Sequence, residues 1–160
     1  MKDLRKFYVD GEWVDPICAN DLAVENPATE ELVATISLGA MADVNRAVAA
    51  AKHAFPSYSQ TSVDERIALL EKLLTIYSDR YDEMAVAISI EMGAPISFST
   101  TAQADCGRGH INAALEALKE FKFERQIGST RVVKEAIGVC GFITPWNWPI
   151  QPISCKVAPA

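Results

Sequence analysis

The residues of this chain best equipped for chemistry lie in one short run, Thr144-Pro-Trp-Asn-Trp-Pro149. Asn147 is the sole polar side chain between its two indoles. Each proline fixes its own φ and pushes the residue before it, Thr144 or Trp148, towards extended backbone, so the run reads as a stiff turn. A carboxamide fixed before the reaction in a partly dry space can donate to an oxygen that turns anionic, an interaction worth about 2.7–4 kcal/mol where such donors have been removed from other enzymes. The competing reading is a turn amide that caps its own backbone.

Other reactive types are scattered. The cysteines at 18, 106, 140 and 155 leave gaps too wide for a CxxC pair, and free thiols in a reducing compartment are the default. Cys140 falls within an apolar run, where burial would make it inert, and Cys155 beside Lys156 shares no helix face with it. Neither suits a nucleophile. Cys106 and His110 are four apart on one helix face, but two ligands make no zinc site and Gly107 and Gly109 weaken that helix, so no metal is expected. Gly107-Arg-Gly109 also lacks the third glycine and the preceding strand of a dinucleotide fingerprint. His53 reads as a surface residue.

The 160 residues carry 15 Lys+Arg against 21 Asp+Glu, a net charge of -6, and 49% are hydrophobic. One or at most two domains fit, with enough core to dispense with disulfides or metal. The acidic balance argues against nucleic acid or an anionic membrane surface as partner, because phosphate binding needs clustered cations. Lys119 to Glu135 holds five cations interrupted by three glutamates, a solvated segment. The start of the chain lacks the apolar stretch of a signal peptide. Ala136 to Cys155 has no charge, but Gly138, Gly141, Pro145, Pro149 and Pro152 would leave backbone groups unsatisfied in lipid. It reads as a buried protein segment.

The turn must be positioned by the rest. Phe7 to Val14 reads as two short strands around Asp10-Gly11, which supplies the positive φ of a tight hairpin. Leu22–Asn26 and Leu32–Ser37 read as further strands of an antiparallel meander, joined through Asn26-Pro-Ala-Thr-Glu30. From Ala42 the period becomes helical, with Val44, Ala47, Val48, Ala51 and Phe55 on one stripe and Pro56 as its stop. Ser62-Val-Asp-Glu65 has capping-box spacing and opens a second helix through Ile67, Leu70, Leu73, Leu74 and Tyr77. A third helix spans about Tyr81 to Met92, capped by Gly93 and blocked by Pro95, and a fourth about Ser97 to Phe121. Ser129 to Glu135 alternates like an exposed strand, and the continuously apolar Gly138 to Thr144 predicts a strand buried on both faces, as in a parallel sheet. Ile153, Val157 and Ala158 suggest a final helix.

The run Glu135-Ala-Ile-Gly-Val-Cys-Gly-Phe-Ile-Thr-Pro-Trp-Asn-Trp-Pro-Ile150, followed by Lys156-Val-Ala-Pro-Ala160, closely resembles the aldehyde dehydrogenase superfamily. Asn26-Pro-Ala-Thr-Glu30 and Glu91-Met-Gly-Ala-Pro95 resemble the landmarks that precede it there, in the same order and spacing. The resemblance implies an α/β fold, of which this chain is the N-terminal part: a β-meander, helices and the first strand of a Rossmann-like parallel sheet, incomplete as given. It divides the chain into 1–120 (part of the cofactor-binding domain), 121–136 (start of the oligomerisation arm) and 137–160 (first strand and turn of the dinucleotide-binding core).

It also implies an activity, oxidation of an aldehyde to a carboxylic acid with NAD or NADP, NAD being favoured, through a cysteine thiohemiacetal and thioester. Ile143, Thr144, Pro145 and Trp146 match the strand end and turn lining the dinucleotide site, and Asn147, counted with them among the cofactor-binding residues, matches the amide that holds the substrate oxygen. Lys156 matches a lysine proposed to relay protons; the plain alternative is a lysine capping or pairing within its helix. The family's nucleophile, general base and adenosine-ribose ligands match positions beyond Ala160. The expectation is thus an N-terminal third, inactive alone, of a cytoplasmic homodimer or homotetramer acting on a small aldehyde. The alternative is a non-catalytic truncated chain that pairs with full-length subunits. Alone, it is expected to expose apolar surface and aggregate.

Overall fold

A computed structural model describes residues 2–160 of the chain. In order, β1 (Lys2–Leu4) is followed by the hairpin of β2 (Phe7–Val9) and β3 (Glu12–Val14), then by β4 (Asp21–Glu25) and β5 (Leu32–Ser37). Asp10 and Gly11 turn the hairpin with φ of 55° and 81°, as their residue types require. Phe7 pairs with Val14 and Val9 with Glu12 across it. The expected single meander is corrected. β2 and β3 stand apart, while β4 and β1 flank β5, β4 antiparallel and β1 parallel to it. The parallel partner of β5 lies at the other end of the segment, where no local turn signal could announce it.

Between β4 and β5 the Asn26 side chain accepts from the Ala28 N–H at 2.9 Å, and the Glu30 N–H reaches the Asn26 carbonyl at 2.7 Å. Pro27 in this turn lies against Gly93, where a Cβ would come within 2.6 Å of the proline Cγ. Gly93, at φ 77°, also caps the third helix, α3 (Tyr81–Met92), in the left-handed conformation expected of it. Two stretches far apart in sequence, Asn26–Glu30 and Glu91–Pro95, therefore meet.

The first helix, α1 (Met41–Tyr58), runs two residues beyond Pro56, its expected stop. A proline near a helix end forfeits one backbone bond, and here the Ser57, Ser59 and Thr61 hydroxyls donate to the Ala54, Pro56 and Tyr58 carbonyls at 3.0, 3.2 and 2.7 Å. At the other end, buried Asp43 accepts from the backbone N–H groups of Ile17 and Ala40 at 2.8 and 2.9 Å. Those bonds hold its carboxyl below the usual range. The apolar stripe of α1 stays largely exposed, Val44 and Val48 included.

The helical layer is better filled. The Ser62 hydroxyl accepts from the Glu65 N–H at 3.2 Å while the Glu65 carboxylate accepts from the Ser62 N–H at 2.7 Å, closing the expected box on α2 (Val63–Asp79). α3 comes next, with its predicted bounds. The fourth helix is interrupted. A short α4 (Ile96–Phe98) passes through a wide π turn (Ser99–Gln103) into α5 (Ala104–Glu120). The bulge sets one extra residue into the helix and rotates the turns after it. Ala85, Ile88, Ala94 and Ala104 form the core, with Tyr81, Met84, Met92 and Ile150 packed on it. The Tyr77 hydroxyl donates to the Ala104 carbonyl at 2.6 Å, and burial pushes its pKa up to about 12.

Gly107 does not weaken α5 as expected. A Cβ there would meet Tyr77 Cζ at 2.5 Å and Ile150 Cγ1 at 3.0 Å, so its absence lets α2, α5 and the last helix approach. Beyond α5, β6 (Glu124–Ile127) and β7 (Thr130–Val133) form a hairpin about Gly128, φ 57°, of which the sequence pattern predicts only the second strand.

The strand expected at Gly138–Thr144 is the main correction. Its residues make no ladder; all but Gly138 are exposed, in line with the apolar surface expected of the chain alone, while Cys140 is exposed where burial was expected. A two-face-buried strand needs neighbours on both edges and covering layers, and none of the described residues supplies them.

Candidate functional site

The bend after this segment is anchored from behind. α6 (Ile150–Val157) starts directly after Pro149, and Pro152 sits in its first turn, where a missing N–H costs nothing. Ile150 reaches the helical core, and the Trp148 carbonyl accepts from the Gln151 N–H at 3.0 Å. Trp148 departs from the extended backbone expected before a proline: its φ is 61°, in the left-handed region that bulky residues rarely adopt. The Trp148 ring stands edge-on to Phe98, centroids 5.4 Å apart and planes at 80°. Sequence reasoning missed Phe98. Its only local cue was an aromatic side chain three residues past Pro95.

In front of the anchor the expected site residues are uncovered. Ile143 is 95% and Trp146 80% exposed, and Thr144, Pro145 and Asn147 are exposed as well. Among the described residues the Asn147 carboxamide has no hydrogen-bond partner, so the backbone-capping alternative is not what the turn does. Lys156, half-buried, donates from Nζ to the Pro152 carbonyl at 3.2 Å, a bond within its own helix. No hydrogen bond joins it to Asn147.

Two surface cavities lie elsewhere. One of about 410 Å³ is lined by Asp3, Arg5, Lys6 and Asp21 among others, and one of about 290 Å³ runs between the β2–β3 hairpin and α1. The bend is an open face, with a free amide donor, bare apolar side chains and a back packed on the helices through Ile150 and Trp148. The remaining candidates are quiet. Burial, then the charge of Asp105, pushes the Cys106 thiol up, and no three His, Cys, Asp or Glu side chains gather around a point where a metal could sit among the described residues. No helix among them is long and apolar enough to cross a membrane.

The family model described as the aldehyde dehydrogenase family matches residues 13–160. The chain belongs to the aldehyde dehydrogenase family. Over its whole length it is 49% identical to a 3-succinoylsemialdehyde-pyridine dehydrogenase from Pseudomonas sp., of which it covers 34%. The crystal structure of an aldehyde dehydrogenase from Bartonella henselae shares 45% identity and superimposes with a TM-score of 0.96, covering 99% of this chain and 34% of that one. Aldehyde dehydrogenase C from Pseudomonas syringae, solved with NAD+ and octanal, is 44% identical with a TM-score of 0.94 over 96% of this chain and 32% of its own. The chain thus spans about a third of the length of the relatives it matches.

The mixed α/β architecture is that of the N-terminal part of these aldehyde dehydrogenases. A superposition over 99% of the chain includes the unpaired apolar segment, so its backbone takes the path of the solved enzyme even where no neighbouring strand is present.

Proposed function

We propose that this chain is the N-terminal third of an enzyme that oxidises an aldehyde to a carboxylic acid with NAD(P)+, NAD favoured, through a cysteine thiohemiacetal and thioester. The observation that carries the reading is the Asn147 carboxamide, exposed and unpartnered in a bend backed by the helical core. As sulfur bonds to the carbonyl carbon, the π electron pair moves onto oxygen. A donor already in place stabilises that charge without reorganising. The nucleophile would come from sequence beyond Ala160.

Ile143, Thr144, Pro145 and Trp146 would hold the dinucleotide. They fit it, because Ile143 and Trp146 present bare apolar surface beside a carboxamide with free hydrogen-bonding capacity. When bound, NAD supplies the hydride acceptor. Trp146 and Trp148 stand on either side of Asn147 in the chain, Trp146 80% exposed and Trp148 half-buried, and binding sites of this kind pair much apolar surface with few polar groups. The Pseudomonas syringae relative, solved with NAD+ and octanal, supports both the cofactor and the aldehyde class. Lys156 would serve a proton relay only after releasing the Pro152 carbonyl. The 160 residues alone would not turn over aldehyde.

Asn147→Ala in the full-length enzyme tests the reading. The expected outcome is a fall in kcat for aldehyde oxidation of about 10²–10³-fold, with NAD affinity little changed. An unchanged kcat/KM would remove the oxyanion role.

A second reading, in which the chain pairs with other subunits, draws on the β6–β7 hairpin. Its outer edges are unpaired among the described residues, and an edge strand is a template for another chain. The resulting homodimer or homotetramer is checked by light scattering of the full-length protein with β7 edge residues replaced by proline.

A further inference from the structure

We infer that Phe98 and the left-handed backbone of Trp148 act as a clamp that aims the Asn147 carboxamide. The inference rests on the proposed oxyanion role. Asn147 itself makes no side-chain hydrogen bond, so its direction must be set by its own backbone and by the residues next to it. Its C-terminal neighbour, Trp148, holds φ 61° although it is neither glycine nor asparagine. For a bulky side chain that conformation is a genuine outlier, and such residues persist only where their surroundings over-determine them. Three neighbours act on it here, and two of them hold it. Pro149 disfavours the right-handed helical region for Trp148 but favours extended backbone, so the left-handed conformation is held against that preference by the other two. The Trp148 carbonyl is held by the Gln151 N–H at 3.0 Å, which ties it to the first turn of α6. The indole is held edge-to-face by Phe98 at 5.4 Å, the favoured geometry of an aromatic pair.

Phe98 ends α4 where the helix widens into the π turn, and buried Ser99 ties that junction by donating its N–H to the Pro95 carbonyl at 2.8 Å. The clamp is therefore anchored in the helical core. Were the indole released, rotation at Trp148 towards ordinary extended backbone would swing the residue before it, and Asn147 would lose its aim. The ring contact of Phe98 is with Trp148, and its effect on Asn147 would pass through that indole. Phe98 is a positioning residue.

The test uses the full-length enzyme with Phe98→Ala, Phe98→Tyr, Asn147→Ala and the Phe98→Ala/Asn147→Ala double variant. Phe98 is 42% exposed, so its truncation leaves the core intact. Phe98→Ala is expected to lower kcat at least about tenfold, since a misplacement of about 1 Å can cost ~10²-fold, while the dissociation constant for NAD stays the same. Phe98→Tyr, which keeps the ring edge, restores most of the rate. In the Asn147→Ala background Phe98→Ala costs nothing further, as for residues that act as a unit. Full activity of Phe98→Ala overturns the clamp, as does a loss that tyrosine fails to rescue or one that multiplies with Asn147→Ala. An unimpaired Asn147→Ala overturns the oxyanion reading instead, so the two failures are separately visible.

Discussion

Ala85, Ile88, Ala104, Ile111 and Leu115 in the helical layer are each 4% exposed or less, whereas every residue from 139 to 147 is exposed, Ile143 at 95%. Both stretches are apolar. The helices bury their stripes against one another within this chain, but a strand can bury two faces only between layers and beside other strands. The residues to which the proposed chemistry is assigned thus sit on the part with the fewest supports of its own. The helices lend it rigidity from one side through Ile150 and Phe98, and the open side is where the proposed cofactor and substrate would lie. Self-packing and the proposed function fall in two different regions.

The division breaks most readily at the seam joining them. Gly107 faces Tyr77 of α2 and Ile150 of α6, so Gly107→Ala must push apart the helices that anchor the bend. Overpacking of this kind costs about 1–3 kcal/mol. The expected result is weaker hydrogen-exchange protection of α5 amides and weaker docking of α6. Unchanged protection would show that the seam is slack and that the bend is not braced by it.

Legibility in the sequence tracks the range of each interaction. Ser62 with Glu65, Asp10 with Gly11, and Gly93 after Met92 are local devices whose spacing dictates their geometry, and all three form as expected. Pro56 misleads because the cost of one missing N–H depends on how near the helix end lies and on which hydroxyls come after it. The pairing of β1 with β5, the contact of Pro27 with Gly93, and the Phe98–Trp148 pair join positions distant in sequence, and no periodicity encodes a partner. Gly138 to Thr144 has the composition of a buried strand, yet composition specifies a preferred environment and not its presence. At the site the roles of Ile143 to Asn147 come from resemblance. The residues alone offer an amide in a stiff turn, and the structure leaves that amide exposed.

A smaller effect belongs to the self-sufficient side. Ser62→Ala removes a cap from α2, and caps of this type contribute about 1 kcal/mol. Backbone and hydroxyl hydrogen bonds from Ser62 hold the Glu65 carboxyl below its ordinary value. The folded state therefore favours the ionised form. The stability this adds is present in full above the unfolded glutamate value, near ~4.3, and is lost as pH falls through the lower folded one. Urea midpoints for the chain and for Glu65→Ala should differ at neutral pH and converge on acidification. A constant gap would mean the carboxylate is not what closes the box.

The smallest effect is expected on the other side of the comparison. Ile143→Ser exchanges an apolar side chain that is already in solvent, so in the 160-residue chain it should change stability by less than about 0.5 kcal/mol, the range of ordinary surface substitutions. Solubility should rise, because one member of an exposed apolar stretch is removed. Amides from 139 to 144, which lie in no ladder, should exchange with little protection before and after the change. A loss well above that stability range, or strong protection in the parent chain, would mean that the segment finds a partner in solution, and the contrast between a self-packed helical layer and an unsupported bend would fail. A change within it would agree with a segment that gains nothing from the helical layer in front of the bend.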